Sequence, residues 1–278
     1  MSQFEQPRFI FLHIPKTGGM TLKHIIFRQF KGVKSLNLRI TKKLNTKPLS
    51  SFTEKERNEL RLISGHFAFS DDFIFPDATN YFTMLREPVK RVISQYNYLY
   101  SNTQHAFNKT MVEKNYSLYD MLSQGYVKHF DNCLVRFLSG SVFKDFGTID
   151  EADYQKALQN FDKYFTHFGL NEHFDESILM LSYELNWKFP YYAHINTTKT
   201  KKTDITFDAQ TNAALVKCTQ FDKRLYDYAF IKFQTKLAEN KARLQQDVTK
   251  LEKGNTVRNF WLKLHYLINE KKINRVEL

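Results

Sequence analysis

Cysteine is almost missing from this chain: Cys133 and Cys218 are the two among 278 residues. So few thiols, so far apart, rule out a disulfide framework, and neither stands in a metal-ligand pattern, so reduced thiols are expected. Long hydrophobic runs are missing too. The first apolar run, Phe9 to Ile14, is far too short to cross a membrane, and no basic start with a long apolar region marks a secretory signal. A soluble, cytoplasmic protein is the expectation. Internal repeats and low-complexity tracts are also absent. With 42% hydrophobic and 15% aromatic residues, that excludes a mainly disordered chain.

Acidic charge is scarce. Against 41 Lys and Arg stand 29 Asp and Glu, and the imbalance is uneven, since Lys199 to Leu278 holds 17 basic and 9 acidic residues. Such a surplus favours anionic partners, whether a polyanionic saccharide, nucleic acid or an acidic membrane surface, while a solvated lysine-rich helix face explains it equally well. The length suits one large domain with a small helical appendage. We divide it as residues 1–206, an α/β core, and 207–278, C-terminal helices packing on that core or on another subunit.

The stretch around which the chain is organised is Phe9 to Leu22, FIFLHIPKTGGMTL. Its apolar opening predicts a strand buried on both faces of a parallel sheet. Pro15 closes that strand, Gly18 and Gly19 allow an unusual turn, and Leu22, Ile25, Ile26 and Phe30 recur at helical spacing. A strand, a glycine turn and a helix aim backbone N–H groups and the positive helix end at one point, where a phosphate-sized anion is held. Lys16 adds a full charge there, and Thr17 and Thr21 add hydroxyls. The lysine precedes the glycines, whereas the nucleotide loop GxxxxGK[ST] puts it after them, which argues against a kinase or NTPase.

Further on, Leu60 to Gly65 reads as a strand delivering His66 to its end, where ligands of open parallel sheets gather. A neutral imidazole there suits a base for a substrate hydroxyl; His13 is the rival, inside the loop strand. Asn80 to Leu85 is a third strand, followed by Arg86-Glu87-Pro88 and a helix from Val89 to Tyr100. Its apolar stripe is Val92, Ile93, Tyr96, Leu99 and Tyr100, with Arg91 and Ser94 off that stripe. The Arg86 fork at the strand end suits a two-pronged grip on phosphate. Tyr164 to Leu170 reads as a fourth strand. Residues 31–57 read as a variable connection with one helix near Thr53 to Leu60, and 101–130 as a mostly helical polar insertion that lines an acceptor cleft or is simply solvated. From Asp208 the chain is helical, in a run extending through Gln245 to Gly254, and Val257 to Ile268 forms an amphipathic stripe.

At Pro15 to Gly19 and Thr21 the chain resembles the sulfotransferase superfamily, whose PKTGG loop binds the 5'-phosphosulfate of 3'-phosphoadenosine-5'-phosphosulfate (PAPS). Met20 departs from the usual Thr or Ser. Arg86, Pro88 and Ser94 are similar to that family's 3'-phosphate motif, and Gly65-His66-Phe67 to the segment bearing its histidine base. Asn132 to Gly140 and Gly169 to Ser177 resemble further family segments. There Asn132 and Arg136 shape the acceptor side or knit helices, and Glu172 is structural.

The resemblance implies an α/β fold with a P-loop-like central parallel sheet flanked by helices, and a basic helical C-terminal extension. It implies sulfuryl transfer from PAPS, without a metal, to a hydroxyl of an acceptor, releasing 3',5'-ADP. His66 and Lys16 would be catalytic, and Lys16, Thr17, Gly18, Gly19, Thr21, Arg86 and Ser94 would bind the donor. Lys199 and Lys201 would close over it from the loop Asn196 to Lys202. The Gly-His segment and the Gly-Leu-x-Glu pattern look like the carbohydrate branch that includes heparan 2-O- and 6-O-sulfotransferases, so an anionic saccharide is the expected acceptor and no specific nucleic acid is expected. Animal relatives carry a Golgi membrane anchor, so this chain reads as a cytoplasmic, bacterial-type member or a trimmed piece. Peripheral membrane contact and a homo-oligomer are left open. Two other classes remain beside this reading: a nucleotide-dependent phosphotransferase and a non-catalytic polyanion-binding protein.

Overall fold

A computed structural model describes residues 7–39, 49–75, 78–193 and 207–273, with only the backbone path given for 261–273. In chain order the elements begin with β1 (Arg8–Leu12), α1 (Gly19–Gln29), β2 (Ser35–Arg39), α2 (Glu54–Glu59), β3 (Leu62–His66), β4 (Thr79–Leu85) and α3 (Pro88–Ser101). They continue through α4 (Asn108–Glu113), α5 (Leu118–Ser123), α6 (Cys133–Ser139), α7 (Glu151–Tyr164), β5 (His167–Leu170), α8 (Phe174–Glu184), α9 (Ala209–Glu239) and α10 (Lys241–Ile273). The expected α/β fold, a central parallel sheet flanked by helices, is what forms.

All strand pairs are parallel, in the order β2-β3-β1-β4-β5. β1 lies in the middle, which is why its five residues are buried throughout and four of them, Phe9 to Leu12, read as an apolar run. Because the chain leaves β1 toward β2 and β3 on one side and returns to β4 on the other, the crevice at the carboxyl end of β1 is a topological switch point. The turns after β1, β3, β4 and β5 all open onto that edge. Gly65 is required there. It has φ +136°, and a Cβ on it would lie 1.9 Å from the Leu38 carbonyl oxygen of β2.

Three features differ from the sequence expectation. Residues 31–57 hold an edge strand, β2, ahead of the helix expected near Thr53 to Leu60, which forms as α2 with a reciprocal capping box between its N-cap Thr53 and Glu56. Segment 101–130 carries its own buried cluster, in which Met111, Leu118, Met121, Leu122 and Phe130 pack with Val92 and Leu99 of α3 and Leu215 and Cys218 of α9. It is therefore a packed subdomain wall rather than a solvated insertion. The long C-terminal run also breaks: α9 ends where the Asn240 amide bonds back to the Lys236 carbonyl, and α10 restarts at Lys241. Leu225, Ala229 and Phe233 of α9 and Leu244 and Leu251 of α10 are buried in the same cluster as the sheet.

Candidate functional site

The site is built where β1 runs out. The ladder continues one residue past the strand, His13 N donating to Gly65 O at 2.9 Å, and the chain then turns through Lys16, at φ 68°, and Gly18, at φ 86°. Gly18 is the N-cap of α1 and offers no side-chain acceptor, nor is there an acidic residue in the first turn. The first N–H groups and the positive end of α1 therefore face the crevice with no anion of their own cap or first turn to neutralise them. Space fixes both glycines. A Cβ on Gly18 would meet Asn171 Nδ2 at 2.3 Å, and one on Gly19 would meet His13 Nε2 at 1.7 Å. Thr17 is buried with its hydroxyl donating to Ile14 O at 2.9 Å, so it faces inward. Thr21 is half-buried on the first turn, and Met20 is exposed beside it.

His13 and His66 form a stack, ring centroids 4.1 Å apart, with Phe11 behind His13 at 5.3 Å. Burial, reinforced by the neighbouring His66, Lys23 and Lys16 charges, pushes the His13 pKa down to about 3, so it stays neutral and acts as packing. His66 Nδ1 lies 2.6 Å from the His13 carbonyl oxygen. A carbonyl can only accept, so Nδ1 carries the proton and the neutral ring keeps its lone pair on Nε2, the form a general base needs. The strand end thus orients the ring through a backbone carbonyl, with the His13 ring stacked against it.

The cations converge on the same edge. Arg86, at the end of β4, donates from Nη1 to the Lys16 carbonyl at 3.1 Å, and its buried Nε has no partner. The two motifs seventy residues apart in the chain are therefore in contact. The Lys16 ammonium sits 4.2 Å over the Tyr98 ring of α3 and has no carboxylate at ion-pair distance among the described residues. Burial, with the nearby Arg86 charge, lowers its pKa to about 8. Burial also lowers the Arg86 pKa, and the Glu172 carboxylate opposes that shift. Glu172 accepts from Glu87 N at 3.1 Å and from the Tyr226 hydroxyl at 2.8 Å, tying β5 to the start of α3 and to α9. Ser94 is half-buried, four residues before Tyr98 on one helix face.

Arg91 lies off the apolar stripe of α3 and is nevertheless buried. It is fully buried because the turn at 128–130 and α9 cover that side of α3; Nη2 donates to His129 O at 2.6 Å, while Nε and Nη1 have no partner. Asn132 and Arg136 knit helices. Asn132 Oδ1 accepts from Phe221 N and Asp222 N at 3.0 and 3.2 Å, and Arg136 pairs with Asp131 and holds the carbonyls of Lys144 and Asp145. Lys199 and Lys201 lie outside the described residues.

Three residues near the site were missed in the sequence: Tyr98, Asn171 and His129. Of these Tyr98 had a signal available, its i+4 spacing from Ser94. Asn171 donates weakly to Thr17 O at 3.4 Å. His129 packs on Phe137 at 5.7 Å, and burial first, then Arg91 and His66, pushes its pKa down to about 4. Taken together, the edge offers converging cations, uncapped N–H groups and one oriented imidazole, a set suited to gripping a phosphorylated anion beside a hydroxyl that must lose its proton.

A family model described as galactose-3-O-sulfotransferase matches residues 3–270. No curated protein matches the chain. The match bears out the sulfotransferase superfamily and its carbohydrate branch, and the family matched is the galactose one. It also overturns the cytoplasmic location expected above, because members of that family work in the Golgi lumen. No described helix is long and apolar enough to cross a membrane.

Proposed function

Because the chain belongs to the galactose-3-O-sulfotransferase family, and is thus a carbohydrate sulfotransferase, we propose that it transfers a sulfuryl group from PAPS to the 3-hydroxyl of a galactose-bearing acceptor. The observation that carries this reading is the 3.1 Å contact of Arg86 with the Lys16 carbonyl. A donor phosphorylated at both ends of its ribose needs two anion grips within one nucleotide's reach, and these two touch.

The residues present fit such a donor. Arg86 has a buried, unpartnered Nε, and Lys16 has no carboxylate to neutralise it among the described residues. Lys16 and the N–H groups at Gly18, Gly19 and Thr21 would hold the 5'-phosphosulfate, Thr17 contributing its backbone since its hydroxyl is engaged. Arg86 and Ser94 would hold the 3'-phosphate, with Lys199 and Lys201 added from their loop. The donor supplies the sulfuryl group. His66 Nε2 takes the acceptor hydroxyl proton as that oxygen bonds to sulfur, and Lys16 stabilises the negative charge left on the phosphate oxygen.

Calorimetry with 3',5'-ADP tests the reading. Arg86→Ala should weaken binding by about tenfold to a hundredfold, the worth of a charge-assisted contact, and Ser94→Ala by less. His66→Ala should keep 3',5'-ADP affinity and lose turnover. Unchanged affinity in Arg86→Ala would remove the 3'-phosphate assignment, and retained turnover in His66→Ala would remove the base.

A further inference from the structure

A second concave site lies far from the donor turn. A cleft of about 510 Å³ is lined by Tyr191, Gln246, Thr249, Lys250, Lys253 and Val257, with no carboxylate in its walls. It sits beside Arg28, whose guanidinium donates to the Tyr191 carbonyl from the last turn of α1. Nine helical residues, about 14 Å, separate Arg28 from Gly19, so the cleft is at the opposite end of α1 from the donor turn.

Its charge is unlike that of the rest of the C-terminal helices. Elsewhere on these helices most exposed cations find carboxylates, Lys217 and Lys241 excepted: Lys223 pairs with Asp227, Lys232 with Asp162, Lys236 with Glu184 and Arg224 with Glu151. Around the cleft, Arg28, Lys250, Lys253 and Arg258 make no ion pair among the described residues. Arg258 stands close enough to Arg28 to help burial lower its pKa, so like charges are held together here rather than dispersed. Such crowding is unfavourable in the empty protein and becomes favourable when an anion arrives.

Its other wall is aromatic. Tyr191 and Phe189 lie with ring centroids 4.6 Å apart, and the Lys250 ammonium is 4.4 Å over the Phe189 ring. Gly254 lets this happen, since a Cβ there would stand 2.1 Å from the Tyr191 ring. Aromatic faces, amide and hydroxyl groups from Gln246 and Thr249, and unpaired ammoniums are the lining that a sugar ring bearing an anionic group requires.

We propose that this cleft is a separate binding site for a sulfated saccharide, holding an acidic glycan away from the reaction centre. The ligand class rests on the carbohydrate reading above, whereas the site rests on its own unpaired cations and rings. An acidic glycan seated here keeps its chain on the enzyme while another residue of it, or of a neighbouring chain, is modified.

The test is calorimetry at low salt with an oligosaccharide from a sulfated galactan and with its desulfated form, on the whole protein and on Lys250→Glu/Lys253→Glu. The sulfated form should bind at least about tenfold more tightly than the desulfated one, and the double variant should lose about tenfold or more, with an unchanged Tm. Affinity should fall as salt rises. Equal binding by the wild-type protein and the variant overturns the proposal, as does failure of the wild-type protein to bind. Binding of phosphatidylserine vesicles without the oligosaccharide, lost in the variant, would also overturn it and make the cleft a membrane contact. Measuring 3',5'-ADP affinity on the same samples separates the two readings, because the donor site can stand when the cleft fails, and the reverse.

Discussion

Lys16 is held in a conformation that disfavours its own charge. Burial and Arg86 bring its pKa to about 8, whereas a free lysine titrates near 10.4. The ammonium is the working form, so on the alkaline side, where the His66 base is already unprotonated, kcat/KM should fall as pH rises through about 8. A profile flat to pH 10 would mean that Lys16 is not needed charged. Gly19 is the other residue with a sharp outcome. Adding one methyl puts a Cβ 1.7 Å from His13 Nε2 and forces the ring away from its place against α1. Gly19→Ala should lose about 1–3 kcal/mol of stability by overpacking, read as a drop in Tm, together with most turnover. A variant as stable and active as the parent would show that the His13 stack is incidental. At this scale the sequence was legible where chemistry is local: Lys16, Arg86 and His66 stand at strand ends that could be read from their apolar runs. Tyr98 and His129 were not, because their importance lies in what the fold brings against them.

Elements followed the same division. β1 and β4 announced themselves through their buried stretches, Phe9 to Leu12 and Tyr81 to Leu85, which are apolar apart from Thr83. β2, SLNLR, is an edge strand with half its side chains in water, so its short alternation was lost in a basic connection. The seam between α6 and α9 was illegible for another reason. Asp222 caps the start of α6, accepting from Leu134 N and Val135 N at 3.0 and 2.9 Å, across a long sequence gap. Burial raises its pKa to about 6, against the pull of Arg91 and those two N–H groups. The folded-state value is above the unfolded one, so the carboxyl favours the fold most below pH 4, and stability should decline as pH rises from about 4 to 6. Asp222→Ala leaves two buried N–H groups unpaired and should cost about 2–4 kcal/mol by denaturant unfolding. A loss under half that would mean water replaces the cap.

For the whole molecule, the division drawn at residue 207 meets a continuous core. Leu225, Phe233, Leu244 and Leu251 are buried with side chains of the sheet and α8. Exposing four such side chains costs on the order of 10 kcal/mol, about the full stability of a domain. A chain cut after residue 206 should therefore fail to give a cooperative thermal transition; a soluble, cooperatively melting fragment would show that 1–206 folds alone. The parallel sheet itself was foreseeable, since strands alternating with helical stretches leave few other topologies. That the basic C-terminal helices pack on the core was one of the two arrangements expected, the other being a second subunit; which of their faces is buried could not be read, because charge count says nothing about that.

The imidazole of His66 takes its bearing from the oxygen of a peptide bond. Every amino acid supplies that atom, so no codon change at position 13 deletes it. Substitutions there can act on the base through the volume of the ring they replace, and through the path of the main chain, but not by erasing the acceptor that sets its tautomer.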